Sequence, residues 1–286
     1  MKPARSVLFL LALVAFAVAR GAPAAVGDEL PADTSAIESL TPEQARRLAA
    51  EFPGADVEIT IMGSSKATFF RSLPLNGLKQ LDADTAKALA GYGKETLILN
   101  GLTTIDADTA RALAGFKGPR LVLNGLTRLD AATAKQLATF QGEWLGLSGL
   151  SSLDAETATA LAESKSVRLD LSGLPTLDAT IAQTLAGFRG QMLVLNGLTT
   201  LDPATAEALA KYGEKGNHLG LCSLTTLDAA TAKSLAEFQG TDLQFSLPTL
   251  DADIADALAE YKSCLHFSNL TSLDVAAAKA LARFKG

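Results

Sequence analysis

The chain has 286 residues, 48% of them hydrophobic and 20% charged, with a formal net charge of -6. That is enough apolar material for a large core. The acidic balance argues against nucleic acid and against anionic membrane as partners.

The N-terminus reads as a secretory signal peptide over residues 1–24. Lys2 and Arg5 precede an unbroken apolar run from Val7 to Ala19, and Ala17-Val18-Ala19 and Ala22-Pro23-Ala24 are small-x-small cleavage patterns. The run is shorter than the roughly 20 residues that span a bilayer. Cleavage after Ala24 removes Lys2, Arg5 and Arg20 and takes the charge from -6 to -9. The mature chain is expected outside the cytoplasm, whether periplasmic, cell-surface or extracellular, with no stable membrane insertion.

Residues 25–72 form a linker and an irregular N-terminal cap. Thr41-Pro42-Glu43 to Phe52-Pro53-Gly54 makes a degenerate first helix unit, and residues 56–61 (DVEITI) should be its strand. Residues 62–72 fit no template.

From residue 73 to residue 286 the chain repeats. A Leu/Ile-Asp pair recurs at Asp82, Asp106, Asp130, Asp154, Asp178, Asp202, Asp228, Asp251 and Asp274, mostly 24 residues apart. The unit from Leu97 shows the parts. Leu97-Ile98-Leu99 alternates as a short strand with both leucines facing one side. Asn100-Gly101 is a turn, and the Asn269 that replaces the glycine late in the array suggests a positive φ there. Asp106 is a helix N-cap, and Pro203 and Pro42 mark the same boundary in other units. The helix ADTARALAGF carries Ala110, Leu113, Ala114 and an aromatic on one face. Gly118, Gly142, Gly190 and Gly240 are expected to stop the helix and turn it back.

A single unit cannot bury its leucines, but stacked units can. The pattern predicts an α/β solenoid, a right-handed β-α superhelix of about 24-residue units with a parallel sheet on the concave face. The L-x-L-x-x-L-x-x-L cadence followed by a short helix resembles the leucine-rich-repeat superfamily, in its short bacterial secreted and surface type. The resemblance covers about residues 36 to 286. One departure is plain. The commonest family pattern places Asn or Cys three residues after the last strand leucine, where this chain has Leu102. Its Asn76, Asn100, Asn124, Ser148, Ser172, Asn196 series follows the strand directly. The resemblance implies recognition on the concave face.

Two rows of strand positions escape the repeat constraint and should face solvent. The first is Ser72, Thr96, Arg120, Trp144, Arg168, Met192, His218, Asp242 and Cys264. The second runs from Pro74 through Val122 and Asp170 to His266. Trp and Arg are enriched in binding hot spots, so Arg120, Val122, Trp144, Arg168, Asp170 and Met192 are the expected ligand patch. Its ligand would be a protein, a peptide or a glycan.

Chemistry is not expected. His218 and His266, two units apart, read as solvated residues too distant to share a zinc ion. Asp242 beside His218 has no nucleophile, and no G-x-S-x-G elbow occurs. The repeated aspartates are caps rather than a calcium cluster. Neither cofactor nor metal is called for, and Cys222 and Cys264 should both be free thiols. The alternative to a recognition module is a structural envelope protein. It would assemble end to end through the uncapped repeat at residues 262–286, a route to homo-oligomers.

Overall fold

The computed structural model describes residues 33–59, 68–213 and 217–286. The expected signal peptide lies outside the described residues. The elements in chain order are α1 (Pro42–Glu51), β1 (Ala55–Ile59), β2 (Thr68–Pro74), α2 (Ala83–Leu89), β3 (Thr96–Ile98), α3 (Ala107–Ala114), β4 (Arg120–Val122), α4 (Ala131–Leu137), β5 (Trp144–Gly146), α5 (Ala155–Ala162), β6 (Arg168–Asp170), α6 (Ala179–Leu185), β7 (Met192–Val194), α7 (Pro203–Ala210), β8 (His218–Leu221), α8 (Ala229–Ala236), β9 (Asp242–Phe245), β10 (Thr249–Leu250), α9 (Ala252–Leu258), β11 (Cys264–Phe267), β12 (Ser272–Leu273) and α10 (Val275–Leu281).

Strand and helix alternate, and ten strands form one mostly parallel sheet in sequence order, β1 to β9 and then β11. From β2 onward every strand pairs in parallel with the next, in matched register. Leu73, Leu97, Leu121, Leu145, Leu169, Leu193, Leu219 and Leu243 therefore form one row, and all are fully buried. The helices cover one face of the sheet, each packed on the next. Between sheet and helices lies one continuous core.

Four ladders set the spacing of the units. The aspartates cap their helices. Asp106 Oδ1 accepts the Thr109 N–H at 2.7 Å, and the other eight do the same in their units. Thr109 then reaches back, donating its hydroxyl to the Leu81 carbonyl at 3.2 Å, as do Thr157 to Leu129 and Thr231 to Leu201, whereas the Thr205 hydroxyl donates to Asp202 Oδ2 at 2.6 Å. After the strands, Asn100 Oδ1 accepts the Asn124 N–H at 3.0 Å and Asn124 Oδ1 accepts the Ser148 N–H at 3.1 Å. Asn196 does the same for Cys222. Buried rings stack as Phe116–Phe140 and as Phe188–Tyr212–Phe238–Tyr261, with neighbouring centroids 6.1 to 6.4 Å apart.

The glycines differ from expectation. Among the described residues only Gly54 and Gly213 have positive φ, so neither the turn glycines nor Asn269 is left-handed. The turn glycine serves close approach instead. A Cβ on Gly101 would stand 2.2 Å from the Asn76 carbonyl oxygen and 2.4 Å from that of Leu78, because consecutive turns lie directly on one another. The glycines after the helices are not left-handed caps either. A Cβ on Gly142 would stand 2.1 Å from Phe140 Cζ, so this glycine makes room for the ring two residues before it.

The N-terminal segment departs from the parallel order of the rest of the sheet. Its strand forms over Ala55–Ile59, but it runs antiparallel to β2, pairing Ala55 with Ser72 and Val57 with Phe70. Thr68 to Ser72, which fitted no template, extend β2 to meet it. The helix part of the cap is regular. Thr41 and Gln44 form a reciprocal capping box at the start of α1. The Ser35 and Ile37 carbonyls cover Gly77, where a preceding turn would lie.

Candidate functional site

The face of the sheet turned away from the helices carries the two variable rows. Register places Arg120, Trp144, Arg168 and Met192 side by side on β4 to β7. Val122 and Asp170 lie in the adjoining row, separated by Gly146 on β5.

These side chains do not stand free in solvent as expected. Arg168 lies over the Trp144 ring, its guanidinium carbon 4.6 Å from the ring, and its Nη2 donates to Asp170 Oδ2 at 3.1 Å. Arg120 folds the other way. Its guanidinium sits 3.6 Å from the Phe70 ring and donates to Glu143 at 3.1 Å. Trp144 is consequently 9% exposed, Asp170 6% and Val122 4%. Cation–π stacking of this kind contributes about 0.5–2 kcal/mol.

Asp170 has a second duty. Its Oδ1 accepts both the Ser172 N–H at 3.1 Å and the Ser172 hydroxyl at 2.5 Å. Ser148 and Ser172 interrupt the asparagine series, and beside Ser172 the Asp170 carboxylate supplies the missing acceptor. Trp144 Nε1 and Arg168 Nε are buried donors without a hydrogen-bond partner. A buried donor left unpaired costs about 1–3 kcal/mol.

The second feature of this face is legible in sequence only in part, which puts Asp242 beside His218 but not His266 on the same carboxylate. His218 Nδ1 lies 2.8 Å from Asp242 Oδ2, and His266 Nε2 lies 2.5 Å from Asp242 Oδ1. The second contact is a close approach without hydrogen-bond geometry. Both histidines of the chain thus converge on one carboxylate across β8, β9 and β11, and they are not independent solvated residues. The register held the signal. His218 pairs with Asp242, and His266 lies diagonally across, two residues further along β11 than Cys264, which pairs with Asp242.

Among the described residues, no group of three His, Cys, Asp or Glu side chains is placed to hold a metal ion. No helix among them is long and apolar enough to cross a membrane. Cys222 and Cys264 are free thiols, the first half-buried and the second exposed. Burial pushes the Cys222 thiol up from its ordinary value. The chain matches no protein-family model and no curated protein.

Proposed function

We propose that this chain is an exported leucine-rich-repeat solenoid. It acts as a non-catalytic recognition module, binding a protein, peptide or envelope glycan on its strand face. The reading rests on the Trp144–Arg168 stack. It occupies the row where the units differ from one another, while the aspartate caps and the leucine row from Leu73 to Leu265 stay constant. The repeat does not require a tryptophan or an arginine there. Both carry an unpaired buried donor, and both are residue types that anchor interfaces. A row of side chains running across parallel strands suits an extended ligand better than an enclosed small molecule.

The test compares the mature chain with a Trp144→Ala/Arg168→Ala variant as baits on envelope fractions and culture medium. Any recovered ligand is then titrated against the fluorescence of the single tryptophan. A ligand held by the first bait, lost by the second and able to shift the Trp144 emission supports the reading. A ligand held equally by both removes the strand face from the function. N-terminal sequencing of exported protein beginning after Ala24 would support the assignment of residues 1–24; recovery of the intact N-terminus would reject it.

A further inference from the structure

Trp144 cannot anchor a ligand in the arrangement this face adopts. It is 9% exposed, and an interface hot spot works by direct contact. The group that lies over it is Arg168, its neighbour in register on β6, whose guanidinium carbon is 4.6 Å from the ring. Uncovering the ring therefore asks for the turn of one side chain, with the paired strands beneath it unchanged.

Three features let that side chain turn. Among the described residues the guanidinium is held by one hydrogen bond, from Nη2 to Asp170 Oδ2 at 3.1 Å. It does not make the two-pronged pair by which arginine is fixed on a carboxylate. Arg168 Nε is buried without a hydrogen-bond partner, so the covering position leaves unsatisfied a donor that water pairs once the arginine swings out. Asp170, finally, does not depend on the arginine. Its Oδ1 accepts the Ser172 N–H at 3.1 Å and the Ser172 hydroxyl at 2.5 Å. The carboxylate keeps both donors when Arg168 leaves, so no bare buried charge is created.

We infer that Arg168 is a hinged cover on Trp144, latched by Asp170, and that the tryptophan ring is presented only when the latch releases. The use of this device rests on the recognition reading, since a ligand that reaches Trp144 must meet the open form. The closed form then lowers the apparent affinity by the fraction of molecules that stand open. Loosening the latch should raise the exposure of the ring.

Acrylamide quenching of Trp144, the single tryptophan of the chain, tests the cover without any ligand. Quenching of the wild type should be weak, and Arg168→Ala should raise the Stern–Volmer constant several-fold. Asp170→Asn keeps an oxygen for the Ser172 donors but removes the charge that holds the arginine, so it should fall between the two. Arg168→Lys keeps the charge and the stem without a planar face to stack. It should also exceed the wild type, and it serves if the alanine variant does not fold. A circular dichroism spectrum like that of the wild type qualifies each variant. A wild-type ring quenched as readily as in Arg168→Ala would overturn the cover. An Asp170→Asn ring quenched no more than the wild type would overturn the latch. Both readouts are independent of the bait comparison. The expected quenching with no ligand recovered by the wild-type bait would support the cover and reject the recognition reading.

Discussion

The Phe140 ring lies so close over Gly142 that a β-carbon there would stand 2.1 Å from Phe140 Cζ. The same pair recurs as Phe116–Gly118, Phe188–Gly190 and Phe238–Gly240. Where the ring is a tyrosine the glycine is not kept. Tyr92 is followed by Lys94 and Tyr261 by Ser263, and the Tyr261 hydroxyl donates to the Gly240 carbonyl of the preceding unit at 2.8 Å. In one unit both members change together. Ser164 stands in the ring position and Ser166 in the glycine position, both buried, with their hydroxyls 3.0 Å apart.

That exchange predicts strong coupling. Ser164→Phe alone should destabilise the chain by about 1–3 kcal/mol, because the ring meets the Ser166 β-carbon. Ser166→Gly alone strands the Ser164 hydroxyl. The double variant should recover most of the loss and rejoin the Phe140 and Phe188 rings into one stack. Urea unfolding of the four proteins measures the coupling, expected at about 1 kcal/mol or more. Additive effects would mean that ring and glycine are unrelated.

The caps make the array acid-labile. Asp106, Asp154, Asp202 and Asp228 are held below the usual carboxylate value by hydrogen bonds from Thr109, Thr157, Thr205 and Thr231. The threonine backbone N–H contributes most in three of them, and the Thr205 hydroxyl most for Asp202. A group whose folded value is lowered contributes stability that is fully present above its unfolded value, about 4 for aspartate, and lost as pH falls through the folded value. The melting temperature should therefore drop below about pH 4. Asp106→Asn keeps a capping acceptor without a titrating group, so its melting temperature should fall less over the same interval. An equal fall in both proteins would remove the cap from the effect.

Burial acts on the three tyrosines from the alkaline side. Desolvation pushes Tyr92 up to about 12 and raises Tyr212 and Tyr261 further. The sign is opposite to that of the aspartates. A raised folded value gives stability that is full below the unfolded value, about 10, and is lost as pH rises through the folded one. Absorbance at the tyrosinate band should stay flat through about pH 10.5 and then rise together with unfolding. Ionisation of any tyrosine near its ordinary value in the folded chain would contradict the burial of these rings.

The histidine pair predicts a local defect. Asp242→Ala removes the shared partner of His218 and His266. It should cost up to about 1 kcal/mol, because both rings are partly exposed. The loss should concentrate in the last units. Amide exchange of β9 and β11 should accelerate while β3 to β5 keep their protection. Uniform acceleration would place the effect elsewhere.

Local chemistry made much of this protein legible from sequence. The 24-residue period, the aspartate caps and the inward leucines depend on neighbours a few residues away, and the strand rows follow from matched unit lengths. The pattern alone therefore puts Arg120, Trp144, Arg168 and Met192 in one row, and the structure brings them side by side. What depends on distance between units was not legible. Whether Gly101 serves a left-handed φ or a close carbonyl is decided by how tightly turns stack. Trp144 and Asp170 are covered because Arg168 folds across β5 and β6. Asp242 is shared by two histidines because side chains reach diagonally between strands. The reversal of β1 follows from its antiparallel pairing with the extended β2. Apart from the Arg168–Asp170 contact within β6, the decisive quantity is a contact between residues remote in sequence, and local pattern carries no record of it until the units are stacked.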